Sequence, residues 1–356
     1  MEPLLATANL FRAGPMVVPG NNYERLIACQ KLDLTPDAIA RRELWKRWHR
    51  LAIRNIIQHL RAVRCLDSDY SRPSSPADRR AFDAEFLPYL TMYGDRPFIA
   101  YFKMLEGRLF RSLPESMFGD DTVEIGVSDG RVSALHFAGR HVELGCEFVA
   151  QRLTGGLHPH RRLFAADLRS LPLAEHSLNS VFMVHIIDDL SFGIDAAIAE
   201  AGRVIRPGGS LVFSSVSDLY GRHQTVEGMK RVIPGVTPEG LSTYVRERHT
   251  GLNIHSHDDL GRSLAAAGFT IERYEEFLSI GAASAWDVGM TAEMGLARTM
   301  ASLLVGYPRL AQGWRDYLCR VFCNLMLAEQ KDGQRGINCF VVARKSGGTY
   351  TARRPK

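Results

Sequence analysis

The stretch Val123-Glu124-Ile125-Gly126-Val127-Ser128-Asp129-Gly130 decides the fold, because it joins a short apolar run to a glycine-rich turn. A β-prone run that ends in glycines and continues into a helix is typical of the first strand of a parallel α/β sheet. Glycine lets the backbone take positive φ and approach a ligand closely, and the following helix offers free N–H groups. The stretch therefore predicts a buried strand with a ligand site at its carboxyl end.

Six further β-rich runs follow this stretch and alternate with helical segments. Such alternation indicates a parallel sheet with helices on both faces. The predicted strands cover residues 122–126, 141–145, 162–166, 180–185, 210–215, 269–277 and 338–344. We therefore expect an α/β fold with a Rossmann-like, seven-stranded sheet.

Apolar residues at helical spacing mark two regions outside the sheet. Thr35-Pro36 opens a predicted helix through Arg64, and a second helical stretch over 80–113 is interrupted near Tyr93-Gly94-Asp95. Methionine and tryptophan recur at helical spacing between the last two strands, which predicts a helical insertion there. The expected division is an N-terminal helical extension or lid (1–118), a cofactor-binding core (119–282), the insertion (283–335), a final core strand (336–346) and a flexible basic tail (347–356).

Composition narrows the class of protein. Hydrophobic residues make up 46% of the chain and charged residues 23%, and no apolar run reaches the length of a membrane span. The six cysteines form no CxxC pair and no secretory signal is evident, so we expect a cytoplasmic protein. The net charge is +5 without any nucleic-acid-binding motif, so a nucleic-acid partner is not favoured. We predict no metal site.

Two acidic residues follow the second and third predicted strands. Glu147 lies about twenty residues beyond the glycine-rich turn, where a carboxylate can accept the hydroxyl hydrogens of an adenosine ribose. Asp167 follows the third strand and could meet the adenine amino group. Glu147 could instead be a solvated loop acid, and Asp167 could instead cap the following turn. Leu168 could pack beside adenine or simply belong to the core.

Two longer segments carry a family resemblance. Leu171-Pro172-Leu173-Ala174-Glu175-His176-Ser177-Leu178 matches the pattern LPF-x-D-x-SF, and Ala201 to Leu211, containing Arg203-Val204-Ile205-Arg206-Pro207-Gly208-Gly209, matches E-x-x-RVLKPGG-x-L. In these segments and the glycine-rich turn, residues 121–217 resemble a class I S-adenosylmethionine (SAM)-dependent methyltransferase of the methyltransferase-11-like group. The resemblance implies that SAM is the cofactor, and that it is bound by Glu124, Gly126, Ser128, Gly130, Glu147, Asp167 and Leu168.

The chain departs from this family's pattern at two places. Ser128 replaces the middle glycine of the turn, and Asp188-Asp189 replaces the usual Glu-His after the fourth strand. These departures motivate an alternative hypothesis, a catalytically degenerate methyltransferase-fold protein that acts as a binding partner or scaffold. A nicotinamide-dependent oxidoreductase would also use the turn and Glu147, but it leaves the two longer segments unexplained.

The candidate acceptor site lies at the carboxyl end of the fourth strand. His185 falls there and could act as a general base or form the wall of the pocket, while Asp188 could orient the substrate or begin a helix. His223, His255 and His257 lie in substrate-facing connections, although Ser256 and Asp259 form a predicted capping box. We expect O-methylation of a small-molecule or glycan-type acceptor, with the 283–335 insertion available for homodimer formation.

Overall fold

The structure of the chain, a computed structural model, describes a defined set of residues and positions. They are 57, 60–70, 74–93, 96–153, 156, 158–190, 192–220, 252–279, 282–283, 307–332 and 335–347. His223 lies outside this set, and so does the predicted start of the first helix. Residues 60–69 are helical, so this helix ends beyond the predicted Arg64.

Seven strands form one mixed sheet in the order β3-β2-β1-β4-β5-β7-β6. The strands from β1 to β5 are parallel where they pair, and β7 runs antiparallel to both of its neighbours. All seven predicted strands are present, with ends shifted by a few residues. Their bounds are β1 Gly119–Ile125, β2 Val142–Glu147, β3 Arg162–Ala165, β4 Leu178–Val184, β5 Ile205–Val216, β6 Phe269–Ser279 and β7 Gly336–Lys345.

By its sequence, the Pro207-Gly208-Gly209 segment is expected to make the turn into the fifth strand, and the structure differs from this expectation. The segment lies inside β5, where the register against β4 shifts between the pairs Leu178–Ile205 and Ser180–Ser210. Gly208 has a φ of +78°, which suits glycine at an irregularity in a strand. The segment is therefore a bulge that lets the helix before it run directly into the strand.

Six α-helices have both ends within the described residues. Three of them lie in the two helical regions that the sequence predicts outside the sheet. The broken helical stretch before the sheet consists of α1 and α2, and a long helix stands between β6 and β7 as expected. A capping box of Ser75 and Asp78 starts α1, and the predicted box of Ser256 and Asp259 starts α5. The bounds are α1 Pro76–Met92, α2 Pro97–Arg111, α3 Arg131–His136, α4 Ile194–Val204, α5 His257–Ala266 and α6 Pro308–Asp332.

Helices cover both faces of the sheet, as the sequence pattern predicts. The helices α4 and α5 pack on one face, where Ile198 and Leu264 are fully buried. Residues from α2 and the end of α3 cover the other face, where Phe110 meets the ring of Phe340. Because both faces are covered, β4 is almost entirely buried along its length.

A third apolar cluster joins α1, α2 and α6. The ring of Phe322 on α6 lies 5.5 Å from Phe86, 5.4 Å from Phe98 and 4.9 Å from Tyr101, measured between ring centroids. The Glu329 carboxylate accepts hydrogen bonds from the Tyr101 hydroxyl and the Ser279 backbone amide. The described part of the insertion therefore packs onto the N-terminal helices of its own chain, and these residues are not free to form a dimer interface.

Candidate active site

The glycine-rich turn after β1 takes three left-handed residues. Gly126, Ser128 and Gly130 have φ values of +82°, +49° and +75°. A Cβ on Gly126 would lie 2.1 Å from Cδ1 of Ile186, so the Ile186 side chain would have to move, and the positive φ of Gly126 also favours glycine. The turn is thus held tightly against β4 before the chain enters α3.

Ser128 keeps the turn although it replaces a glycine of the family pattern. It accepts the left-handed conformation, which costs a non-glycine residue about 1 kcal/mol. Its backbone N–H donates to Oε2 of Glu147 over 2.9 Å. The first departure from the family pattern therefore leaves the shape of the turn intact.

Glu147 ends β2 and its carboxylate is buried, so it is not a solvated loop acid. The side chain is 5% exposed. Besides Ser128, the backbone amides of Phe148 and Val149 donate to Oε1 at 3.0 and 3.4 Å. A carboxylate has about four acceptor positions, so room remains for a ribose hydroxyl. Glu147 thereby joins the turn after β1 to the loop after β2.

Glu124 lies beneath the turn within β1 and has both oxygens engaged. Ser133 donates to Oε1 over 2.9 Å, and Nε2 of His160 lies 2.9 Å from Oε2. Its side chain is buried. The contacts of Glu124 are those of a residue that fastens α3 and the loop before β3 to the first strand, and direct cofactor contact stays a prediction.

Asp167 and Leu168 follow β3 with contacts that favour their alternative interpretations. Oδ1 of Asp167 accepts the backbone N–H of Arg169 over 2.9 Å, which caps the turn. Hydrogen bonds from the Arg169 side chain and backbone lower the pKa of Asp167. Leu168 is buried in the core of the α4 and α5 face. Their contacts with adenine remain predictions.

Phe148 was not singled out in the sequence, yet it is exposed beside Glu147. The residue is 73% exposed, the largest value among the exposed large hydrophobic residues. An exposed aromatic ring beside Glu147 is available for packing against a flat base. Its position directly after the acid that ends the second strand was the available sequence signal.

His185 follows β4 and makes two hydrogen bonds, one from its backbone and one at its ring. Its φ is +52°, a strained value that histidine adopts more readily than most residues, and its backbone N–H donates to Oγ of Ser214 over 3.1 Å. Nδ1 lies 3.1 Å from Oδ2 of Asp188. Nε2 has no hydrogen-bond partner among the described residues, although Oε1 of Glu106 lies 3.6 Å away.

Asp188 is a partner of His185 and does not begin a helix. It lies in a short 3-10 turn, Ile187–Asp189, whereas α4 starts at Ile194. Because its carboxylate accepts hydrogen bonds, Nδ1 of His185 is the protonated donor in this pair. A second contact comes from the backbone, where the Asp188 carbonyl accepts the N–H of Asn253. Asp188 therefore orients the imidazole.

Glu106 on α2 belongs to the same cluster, and no motif in the sequence marked it. Its buried carboxylate accepts hydrogen bonds from Nζ of Lys103 at 2.7 Å and from Oγ of Ser214 at 2.6 Å. Burial raises its pKa, but the electrostatic interactions with Lys103, His185 and His136 and the hydrogen bond from Lys103 prevail and hold the pKa at about 2. Helix α2 thus brings an ionised carboxylate to the end of β4.

The pKa values of the two neighbouring histidines shift in opposite directions. Burial lowers the pKa of His136 to about 4, and its Nε2 donates to the Lys103 carbonyl over 3.0 Å. Burial also acts to lower the pKa of His185, but the carboxylates of Asp188 and Glu106 outweigh it, so the net pKa is raised. At neutral pH the His136 ring is uncharged, while the His185 ring accepts a proton more readily than a free imidazole does.

The other histidine predictions fall elsewhere. His255 lines a cleft of about 660 Å³ between α4 and α5, together with Asp195 and Asp259. Neither His185 nor any residue of the glycine-rich turn lines this cleft. His257 is exposed at the start of α5, with its ring 4.7 Å from that of Tyr274. The structure does not bring these two residues together with His185, and their substrate role stays a prediction.

The strand order, the left-handed turn and Glu147 define a Rossmann-like cofactor-binding domain. Residues 123–213 match the family model described as a methyltransferase domain. A comparison with curated proteins gives no match. The matched segment belongs to a SAM-dependent methyltransferase domain, and SAM is the cofactor of that domain.

Solved structures with a similar fold include methyltransferases and a cyclase. The cyclase SpnF is 20% identical, with a TM-score of 0.42 over 68% of this chain and 81% of that chain. A SAM-dependent methyltransferase from Mesorhizobium loti is 16% identical, with a TM-score of 0.40 over 67% and 96%. Geranyl diphosphate C-methyltransferase from Streptomyces coelicolor A3(2) is 14% identical, with a TM-score of 0.40 over 68% and 78%.

Proposed function

We propose that the protein transfers the methyl group of SAM to an oxygen of a small-molecule or glycan-type acceptor. SAM supplies an electrophilic methyl group on a sulfonium. The residues that would hold it are Glu147, the Gly126 to Gly130 turn and Phe148, because they offer a buried carboxylate, a close backbone approach and an exposed aromatic ring. No other described residues combine these three features.

The observation that carries the acceptor chemistry is the arrangement around His185. Methyl transfer is an in-line displacement, so the enzyme mainly aligns the acceptor oxygen, and a hydroxyl acceptor must also lose a proton. Asp188 holds Nδ1, which leaves Nε2 as the atom that would take this proton. The same pairing stabilises the imidazolium once it has formed. This arrangement suits an acceptor that must lose a proton, as a hydroxyl does.

The α1, α2 and α6 cluster supports a covered acceptor site. These helices bury aromatic residues beside the end of β4, and Phe102 places its ring 4.9 Å from that of His185. We propose that the N-terminal extension and the insertion act together as a lid that excludes water.

None of the helices within the described ranges has the length and apolar character that a membrane span requires. None of the five described cysteines forms a disulfide, which supports a reducing, cytoplasmic setting.

Calorimetric titration with SAM, S-adenosylhomocysteine and NAD tests the cofactor half of this proposal. We expect binding of SAM and its product and no binding of NAD. If neither SAM nor S-adenosylhomocysteine binds, the result favours the degenerate scaffold. The first departure that motivated this alternative counts less, because Ser128 keeps the shape of the turn. Methyl transfer from labelled SAM to a panel of hydroxyl, amine and carbon acceptors then tests the acceptor half. Labelling of only carbon or nitrogen acceptors would refute O-methylation.

A further inference from the structure

We infer that Glu106 is a positioning residue for His185, fixing its ring from the side opposite Asp188. The inference rests on the proposed role of His185 as the base that receives the acceptor proton. It adds to that role a residue from the N-terminal extension, so that α2 supplies part of the acid–base apparatus. The inference depends on three features of the structure: the anchoring of Glu106, the carboxylates near the ring nitrogens and the balance of charge.

Ser214 anchors Glu106 to His185. The Ser214 hydroxyl accepts the backbone N–H of His185 over 3.1 Å and donates to Oε1 of Glu106 over 2.6 Å. The same Oε1 lies 3.6 Å from Nε2 of His185. Backbone, hydroxyl, carboxylate and ring thus close a loop, and a shift of Glu106 would disturb His185 through two routes. Lys103 fixes the second carboxylate oxygen at 2.7 Å.

The imidazole has a carboxylate near each of its nitrogens. Nδ1 faces Asp188 and Nε2 faces Glu106, while the ring of Phe102 packs edge-on at 4.9 Å. Rotation of the ring would exchange a nitrogen for a carbon opposite each carboxylate. A ring held in this way presents one fixed direction for proton transfer, which is the property that a general base requires.

The charges around the ring favour the imidazolium that forms when His185 takes up a proton. The groups that face it or its partners are Asp188 from the 3-10 turn, Glu106 and Lys103 from α2, His136 from α3 and Cys339 from β7. Burial keeps His136 neutral and raises the pKa of the Cys339 thiol, so neither adds charge at neutral pH. Two carboxylates then oppose one ammonium, and the imidazolium supplies the missing positive charge.

This balance gives opposite expectations for two substitutions. Glu106→Gln removes one negative charge and leaves the amide able to contact Ser214, so neutral His185 becomes sufficient for balance. Lys103→Met removes the positive charge that faces Glu106, so the imidazolium becomes more favourable. Glu106→Asp keeps the charge and should retain most of the effect. A purely structural role of Glu106 does not predict two opposite directions.

The test is an NMR titration of histidine ring signals in the full-length protein, with the His185 signal assigned by its loss in His185→Gln. We expect the His185 midpoint to fall by about one pH unit in Glu106→Gln and to rise in Lys103→Met. Glu329→Gln is the matched control, because Glu329 is also buried but bonds Tyr101 and Ser279. An unchanged midpoint in both test variants, or a shift of equal size in the control, would overturn the inference.

Turnover and SAM titration separate this inference from the proposed function. With an acceptor in hand, the acid limb of the pH profile for kcat/KM should move with the His185 midpoint in each variant. SAM affinity should stay within about twofold, because none of these residues belongs to the SAM site. If the midpoint shifts but His185→Gln retains full turnover, Glu106 still positions the ring and the base assignment fails. If Glu106→Gln does not fold, Lys103→Met decides the inference alone.

Discussion

The proposed cofactor side and the proposed acceptor side of the molecule are built in different ways. On the cofactor side each residue follows its own strand, and the bond from Ser128 to Glu147 spans 19 positions. On the acceptor side Glu106 meets Ser214 across 108 positions. The residues of the cofactor side can be predicted from consecutive motifs in the sequence. The residues of the acceptor side come together only when α2 packs on the sheet.

The difference in construction predicts a difference in sensitivity. Residues on the cofactor side contact one another mainly through backbone amides, so a change there should alter SAM affinity with little effect on proton transfer. Residues on the acceptor side contact one another through charged side chains, so a change there should alter turnover and its pH dependence. The predictions below separate the two sides, beginning with the largest expected effect.

His185→Ala should give the largest effect, a loss of turnover of roughly 100- to 10,000-fold, because general-base assistance is of this size. SAM affinity should change by less than about threefold, since the ring belongs to the acceptor side. Both quantities are measured at saturating SAM with an identified acceptor, with His141→Ala at the opposite edge of the sheet as the control. Full turnover in His185→Ala would leave His185 as a pocket wall only.

Glu147→Ala should weaken SAM binding by roughly 10- to 100-fold, because hydrogen bonds to a charged group contribute about 1.5–3 kcal/mol. Glu143→Ala on the same strand is the matched control, since its carboxylate bonds His141 near the other end of β2. Calorimetry gives the affinities, and a thermal melt shows whether the loop bonds of Glu147 also support stability. Equal affinity in the two variants would remove Glu147 from the SAM site.

Phe148→Ala should weaken SAM binding by about 2- to 10-fold, the effect of losing one aromatic packing contact of about 0.5–1.5 kcal/mol. Stability should hardly change, because the ring is exposed. Phe148→Tyr keeps the ring and should bind SAM as the wild type does. The same calorimetric titration compares the two variants. If both bind SAM more weakly than the wild type, packing against the ring is not the cause of the loss in affinity.

Ser128→Gly should have the smallest effect, a rise in unfolding free energy of at most about 1 kcal/mol, because glycine adopts positive φ without strain. The hydrogen bond to Glu147 comes from the backbone and is retained, so SAM affinity should be unchanged. Denaturant unfolding compares this variant with Ser128→Ala, which keeps the Cβ. Lower stability in the glycine variant would show that the serine is not strained.

Most of the fold could be predicted from local patterns. Periodicity predicts all seven strands, the helical extension and the insertion. This is possible because the spacing of apolar residues within one element shows which face of that element is buried. The bulge at Gly208 was taken for a turn, since Pro-Gly-Gly suits both and only pairing with β4 distinguishes them. The first helix was ended too early at Arg64, because helix ends depend on contacts beyond the helix.

Chain order alone predicts the proposed SAM-binding half of this protein. The glycine-rich turn and the acid after the second strand lie where chain order and strand direction put them, so their relation is local. Only the tertiary structure decided that Glu106 and Ser214 meet His185 and that α6 packs on α1 and α2. These pairings depend on which faces of distant elements bury each other, and a single sequence carries no signal for a contact between two such residues.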